Sequence, residues 1–266
     1  LVFLPYHYFG GVGFLTGVGF MDDVVRCENV SFSYGRRQVM SGVTLGLSRG
    51  VTGLLGVNGA GKSTLMRILA TLRHPSTGSV RVLGNDVCTR SGRAKARRQL
   101  GYLPQAFELM GFSTVLSNVE YAAWAHGIAE ADVHEVSIEA LRAVDLVDLR
   151  KQRARTLSGG QRQRLGIACA TAHKPALLLM DEPTVGVDPL QRTALREMIA
   201  TLGKRSTVLL STHLVDDIAR LADHVLVMER GRLAFDGSTE ELIAKSPDAT
   251  DRTAALEAAF TMVASS

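Results

Sequence analysis

The run Val51-Thr52-Gly53-Leu54-Leu55 leads straight into Gly56-Val57-Asn58-Gly59-Ala60-Gly61-Lys62-Ser63-Thr64, and no other stretch constrains the fold so tightly. It fits G-x-x-x-x-G-K-[ST], with an apolar strand feeding the loop and a helix leaving it. Glycines at 56, 59 and 61 let the backbone curl, with Asn58 among them, so that successive N–H groups and the helix N-terminus face one anion. A nucleoside triphosphate supplies such an anion. Lys62 is then expected to reach the β- and γ-phosphates, and Ser63 to offer its hydroxyl oxygen to Mg²⁺. Thr64 holds the first helical turn and touches the α-phosphate.

From Met21 onward, short apolar runs alternate with helical patterns, which predicts an α/β fold: a P-loop NTPase core with a mainly parallel sheet, an N-terminal antiparallel β part and a helical insert. Runs 25–33 and 38–47 read as strands paired through Gly35-Arg36-Arg37, with further strands at 51–55, 79–83, 100–103, 176–180, 207–210 and 224–229. Helices are expected from Lys62, across much of 114–149, and over 161–173, 189–202 and 214–222. One ATPase domain is expected over 21–237, with the insert at about 106–157 and a short helical tail over 238–266. Residues 1–20 contain no Lys, Arg, Asp or Glu and are dense in glycine and aromatics. They lack the positive start of a signal peptide and make a weak helix. The reading is an extension, with the product beginning at Met21.

The second half of a phosphate site follows downstream. Leu177-Leu178-Leu179-Met180 ends in Asp181-Glu182, a buried strand delivering carboxylates at its C-terminal edge. Asp181 suits Mg²⁺ through a water, and Glu182 could polarise the attacking water. Ser158-Gly159-Gly160-Gln161 opens another helix and makes a second anion-binding turn. A second turn makes sense if it closes on a nucleotide held by another subunit.

These motifs resemble those of the ATP-binding cassette (ABC) ATPases over residues 22–237. Leu157 to Gln161 is similar to the family's signature loop. The resemblance implies that Tyr34 stacks on adenine and that Gln105, after Tyr102-Leu103-Pro104, touches Mg²⁺ or the attacking water. It further implies that Asp188 in Gly186-Val187-Asp188-Pro189 crosses a dimer seam, and that His213 in Ser211-Thr212-His213 contacts the γ-phosphate. Val185 and Val187 depart slightly from the family's pattern. Catalysis would then rest on Glu182, His213, Gln105 and Lys62, with Ser63, Gln105 and Asp181 serving the metal and ATP and Mg²⁺ as cofactors. Ser158, Gly159, Gly160 and Gln161 would close over ATP from the partner cassette.

The resemblance implies a homodimer, or pairing with a related ATPase subunit, and a separate transmembrane permease at the cytoplasmic face of a bacterial membrane. Phe107, Met110 and Phe112 are candidate apolar anchors for that permease, or simply packing for the insert. Tyr102 to Gln105, its spacing to Asn118-Val119-Glu120, and Ser211 to Leu214 followed by Asp216-Asp217 look most similar to bacterial multidrug and antibiotic exporters. The short ending after Gly237 points the same way. Export of a small molecule, lipid or glycan is therefore expected, with an importer ATPase or a cassette protein acting without a permease as alternatives. A small-molecule kinase would have no use for Ser158 to Gln161.

The 30 Lys and Arg against 26 Asp and Glu leave a net charge of +4, and the basic runs 93–98 and 150–155 lack interleaved aromatics. Nucleic acid is not an expected partner. Cys27, Cys88 and Cys169 share no metal-like spacing, and neither do His7, His74, His126, His134, His173 and His224, so no metal cluster is expected.

Overall fold

A computed structural model describes residues 23–246 and 251–264. The expected extension 1–20 and the Met21 start lie outside the described residues. Two sheets organise the chain. The first, ordered β2-β1-β4-β5, is antiparallel: β1 (Val25–Tyr34), β2 (Arg37–Leu47), β4 (Thr77–Val82) and β5 (Asn85–Asp86). Val25, Cys27, Val30 and Phe32 of β1 point inward, as a sheet with one solvated face requires.

The second sheet is ordered β10-β9-β3-β8-β7-β6. β3 (Val51–Leu55), β6 (Leu100–Leu103), β7 (Leu177–Asp181), β8 (Thr207–Thr212) and β9 (His224–Glu229) run parallel, and β10 (Arg232–Ser238) pairs antiparallel with β9. β3, β7 and β8 are buried along their whole length, because both sheet faces are covered. Side-chain alternation divides each central strand between two cores. Leu177 and Leu179 pack with α1 (Lys62–Leu69) and the antiparallel sheet, whereas Leu178 and Met180 face the insert and the C-terminal helices.

The insert carries α3 (Val115–Ala125) and α4 (Glu130–Ala143), broken at Gly127, whose φ of 88° suits glycine. Thr114 caps α3 by accepting from Ser117 N at 3.0 Å, and buried Asn118 ties the preceding loop through Met110 N and O. Phe107 packs against Gly166 of α5 (Gly159–Thr171), so it belongs to the core. Phe112 stays 78 % exposed, under the Arg155 guanidinium.

Where the insert meets the sheet, the rings of His126 and His173 stack 3.7 Å apart. His126 Nδ1 lies 3.2 Å from Arg97 O, and His173 Nε2 lies 3.2 Å from Leu100 O. One helix was missed by the sequence reading: α2 (Arg90–Arg97), capped by Thr89. The remaining helices are α6 (Pro189–Gly203), α7 (Val215–Leu221), α8 (Thr239–Ile243) and α9 (Arg252–Val263), the last resting on α7 and α8. Among the described residues no helix is long and apolar enough to cross a membrane.

Candidate active site

β3 stops at Leu55 and α1 starts at Lys62, leaving the loop between them to curl over the sheet edge. Gly59 and Gly61 take φ of 83° and 108°, which side chains with a Cβ avoid. Gly61 caps α1 with no side-chain acceptor, and the first turn has no acidic residue. Its N–H groups are therefore left to an outside anion. Lys62 Nζ is folded back into this turn, donating to Gly56 O at 2.6 Å. Burial pushes the ammonium below its ordinary pKa, against the opposing pull of the Glu182 and Asp181 carboxylates. The cradle encloses about 230 Å³ between Asn58, Gly59, Gly61, Lys62, Ser63 and Thr64 on one side and Gln105 and Glu182 on the other.

β7 brings the carboxylates to this cradle. Asp181 is 2 % exposed and accepts from Ser211 Oγ at 2.5 Å. Glu182 N donates to Ser211 O at 3.0 Å, fixing the residue just past the last β7–β8 pair. Glu182 itself sits at φ 54°, a left-handed conformation costing about 1–2 kcal/mol in a residue with a Cβ. That twist sets its carboxylate between two nitrogens: Lys62 Nζ at 3.7 Å from Oε1, and His213 Nδ1 at 2.8 Å from Oε2. Beside them, burial first and the Asp181 charge second push the Tyr102 phenol up to about 12, with Arg67 opposing.

The other sequence-predicted residues lie further out. Tyr34 is 40 % exposed at the end of β1, edge-on to Phe32 and under Arg73, and it bonds to Thr64 and Arg67. Burial would raise its phenol, but those bonds and the neighbouring arginines leave the pKa lowered. Ser158 caps α5 in a reciprocal box with Gln161, its Oγ accepting from Gln161 N at 3.3 Å. Gly160 lies so close to Gln191 of α6 that a Cβ would meet Oε1 at 2.0 Å. Asp188 caps that same α6, accepting from Gln191 N at 3.1 Å. Ser158, Gly159, Gly160, Gln161 and Asp188 thus gather around the starts of α5 and α6, and none of them lines the cradle.

Sequence reasoning gave no site role to Ser211, which donates to Asp181, or to Thr184 and Arg196, which both donate to Asp217. The available signal was polar residues at buried strand ends, Ser211-Thr212 after an apolar run. Arg196 and Asp217 come from helices and share no motif spacing with it.

The residues present fit a nucleotide with its magnesium. The start of α1 and the Lys62 ammonium face one small cavity, Ser63 and Gln105 line it with hard oxygen donors for a cation, and the Asp181 carboxylate is near enough to act on Lys62.

Comparison with known proteins agrees. The ABC transporter family profile matches residues 40–185. A methionine import ATP-binding protein, MetN of Myxococcus xanthus, is 39 % identical over 80 % of this chain and 67 % of its own length. The linearmycin resistance ATP-binding protein LnrL of Bacillus subtilis is 31 % identical over 84 % of this chain and 71 % of its own. Among solved structures, CbiO1 of Clostridium perfringens, part of the ABC transporter complex CbiONQ, superimposes with a TM-score of 0.77 at 27 % identity. The match covers 84 % of this chain and 92 % of that one. The chain spans 61–71 % of the length of its curated relatives.

The expected placement with multidrug and antibiotic exporters is overturned. Methionine import ATP-binding proteins from several bacteria recur among the relatives, at 32–39 % identity. The short peptides on which the exporter placement rested are spread over β6, α3, β8 and α7, and among them only Gln105 lines the nucleotide cradle. With the cradle, the paired carboxylates and the second anion turn all in family order, the chain belongs to the ABC transporter family, as an ATP-binding and ATP-hydrolysing cassette.

Proposed function

We propose that this chain is the ATPase subunit of an importer, driving a separate membrane permease that moves solute toward the side where ATP is split. The repeated similarity to methionine import ATP-binding proteins carries the direction of transport. The membership of CbiO1 in a multi-subunit transporter complex supports a separate permease, which would hold this chain at the cytoplasmic face of the membrane.

Magnesium-bound ATP supplies the electrophilic phosphoryl group. Lys62 exchanges its bond to Gly56 O for a phosphate oxygen, and the α1 N–H groups take the remaining charge. Ser63 and Gln105 would hold the magnesium, with Asp181 acting on it through a water. Glu182 accepts a proton from the attacking water, oriented by His213 on Oε2. Tyr34 covers the base. Because Ser158 to Gln161 and Asp188 stand apart from the cradle, they serve the cradle of a second copy or a related subunit.

The direction is tested in vesicles holding the chain and its co-purifying permease, with the ATPase facing outward and labelled methionine as the first probe inside. Added ATP should drive label out of the lumen, toward the ATPase. ATP-driven accumulation inside would reject import. A wild-type ATPase rate with no movement of label in either direction would reject methionine as cargo.

A further inference from the structure

Glu182 and His213 come from different strands, and each stands on a loop past its strand end. The β7–β8 ladder ends at the pair Asp181 and Ser211. Beyond it, one last backbone bond links Glu182 N to Ser211 O. The spacing of the carboxylate and the imidazole is therefore left to side chains.

The side chains converge on one carboxylate. Thr184, two residues past Glu182, donates its hydroxyl to Asp217 Oδ2. Thr212, immediately before His213, lies with its Oγ1 3.5 Å from the same oxygen while accepting from Leu214 N at 3.0 Å. The other oxygen, Oδ1, accepts from Arg196 Nε at 2.7 Å, and Arg196 Nη2 stands 2.5 Å away. Asp217, Thr184 and Thr212 are all 0 % exposed. A buried carboxylate persists only where donors saturate it, and here they come from the Glu182 loop, the end of β8, and α6.

We infer that Asp217 is a positioning residue for hydrolysis, holding the Glu182 and His213 loops in register through Thr184 and Thr212. It touches neither nucleotide nor water. Losing its hold lets Glu182 swing from its strained backbone setting, so the water-activating geometry is lost while the phosphate cradle, built on β3 and α1, stays intact. The inference rests on the proposed roles of Glu182 and His213.

Asp216 provides the control. It pairs with the same Arg196 at 2.7 Å and with Arg220 at 2.9 Å, and no bond joins it to either threonine. If the cluster merely neutralised Arg196, both aspartates would matter alike.

The test is steady-state ATPase kinetics on the full chain, with the melting temperature measured for every variant. Asp217→Asn and Thr184→Val should each lower kcat by about tenfold or more, with KM for ATP within about twofold, because a small misplacement is costly in the chemical step. The double variant should be no slower than the worse single variant, since both cut one link. Thr184→Ser, which keeps the hydroxyl, should recover kcat. Asp216→Asn should keep it. Wild-type kcat in folded Thr184→Val, equal losses from Asp216→Asn and Asp217→Asn, or kcat and KM worsening together would each overturn the inference. Should Asp217→Asn fail to fold, the Thr184 pair decides the matter. Glu182→Gln is run alongside: full activity there would reject the proposed role of Glu182, whereas an inactive Glu182→Gln beside a normal Thr184→Val would reject only the positioning role.

Discussion

His173 shows how a single ring can set the acid limit of this fold. Burial, with His126 stacked on it as a second cause, holds its imidazole down at about 4, against an ordinary value of 6.5. The unfolded chain takes up the proton near 6.5 and the folded chain only near 4. Between those values the unfolded state binds more protons, so the stability is whole above pH 6.5 and drains as the pH falls toward 4. The drain reaches about 3 kcal/mol at its lower end. His173→Gln, whose amide nitrogen can stand in for Nε2 as the donor to Leu100 O, removes the titration. Urea midpoints measured from pH 7 to 4 should fall less steeply in that variant than in the parent. At the opposite sheet end, Glu182 shows the same economy of position. Its left-handed backbone turns a residue that would continue β7 into one that faces Lys62 and His213.

Among the elements, β6 and α5 approach more closely than side chains normally allow. A Cβ on Gly101 would meet the backbone oxygen of Ala170 at 2.2 Å. Backbone cannot step aside as a flexible side chain would, so Gly101→Ala should displace α5 and cost about 1–3 kcal/mol in chemical denaturation. An unchanged midpoint would mean that β6 shifts freely at the sheet edge. Much of this architecture was legible beforehand, and for a common reason. β3, β7 and β8 are short apolar runs buried on both faces, and the glycine loop dictates what precedes and follows it. α2 was not legible, because its sequence Arg-Ser-Gly-Arg-Ala-Lys-Ala-Arg buries only Gly92 and Ala96 and shows no apolar stripe. Phe107 was left open between a permease anchor and packing for the insert, because only the fold, which brings Gly166 beneath it, decides for packing. The site followed the same rule. Lys62, Ser63, Asp181 and Glu182 lie in contiguous motifs, whereas Asp217 and Arg196 act across the fold and leave no local spacing to read. The exporter expectation rested on short peptides of β6, α3, β8 and α7, whereas similarity over the whole cassette runs repeatedly to methionine import ATP-binding proteins.

On the scale of the whole molecule, the two anion-binding turns face different places. The cradle sits at the ends of β3 and β7, and Ser158 to Gln161 sits beside Asp188 at the starts of α5 and α6. If each complete site draws one half from each of two copies, then Lys62→Ala chains and Ser158→Arg chains should both be inactive alone. Mixed, they should regain part of the ATPase rate, because each mixed pair contains one intact cradle facing one intact turn. No recovery on mixing would mean that the halves of a site meet within one chain. Split sites also change what an activity value means. Below the concentration at which chains associate, the number of complete sites falls with the square of dilution, so turnover per chain is no constant of the molecule. It depends on how many neighbours share the solution, and a tether that keeps two cassettes together would restore the rate without altering either one.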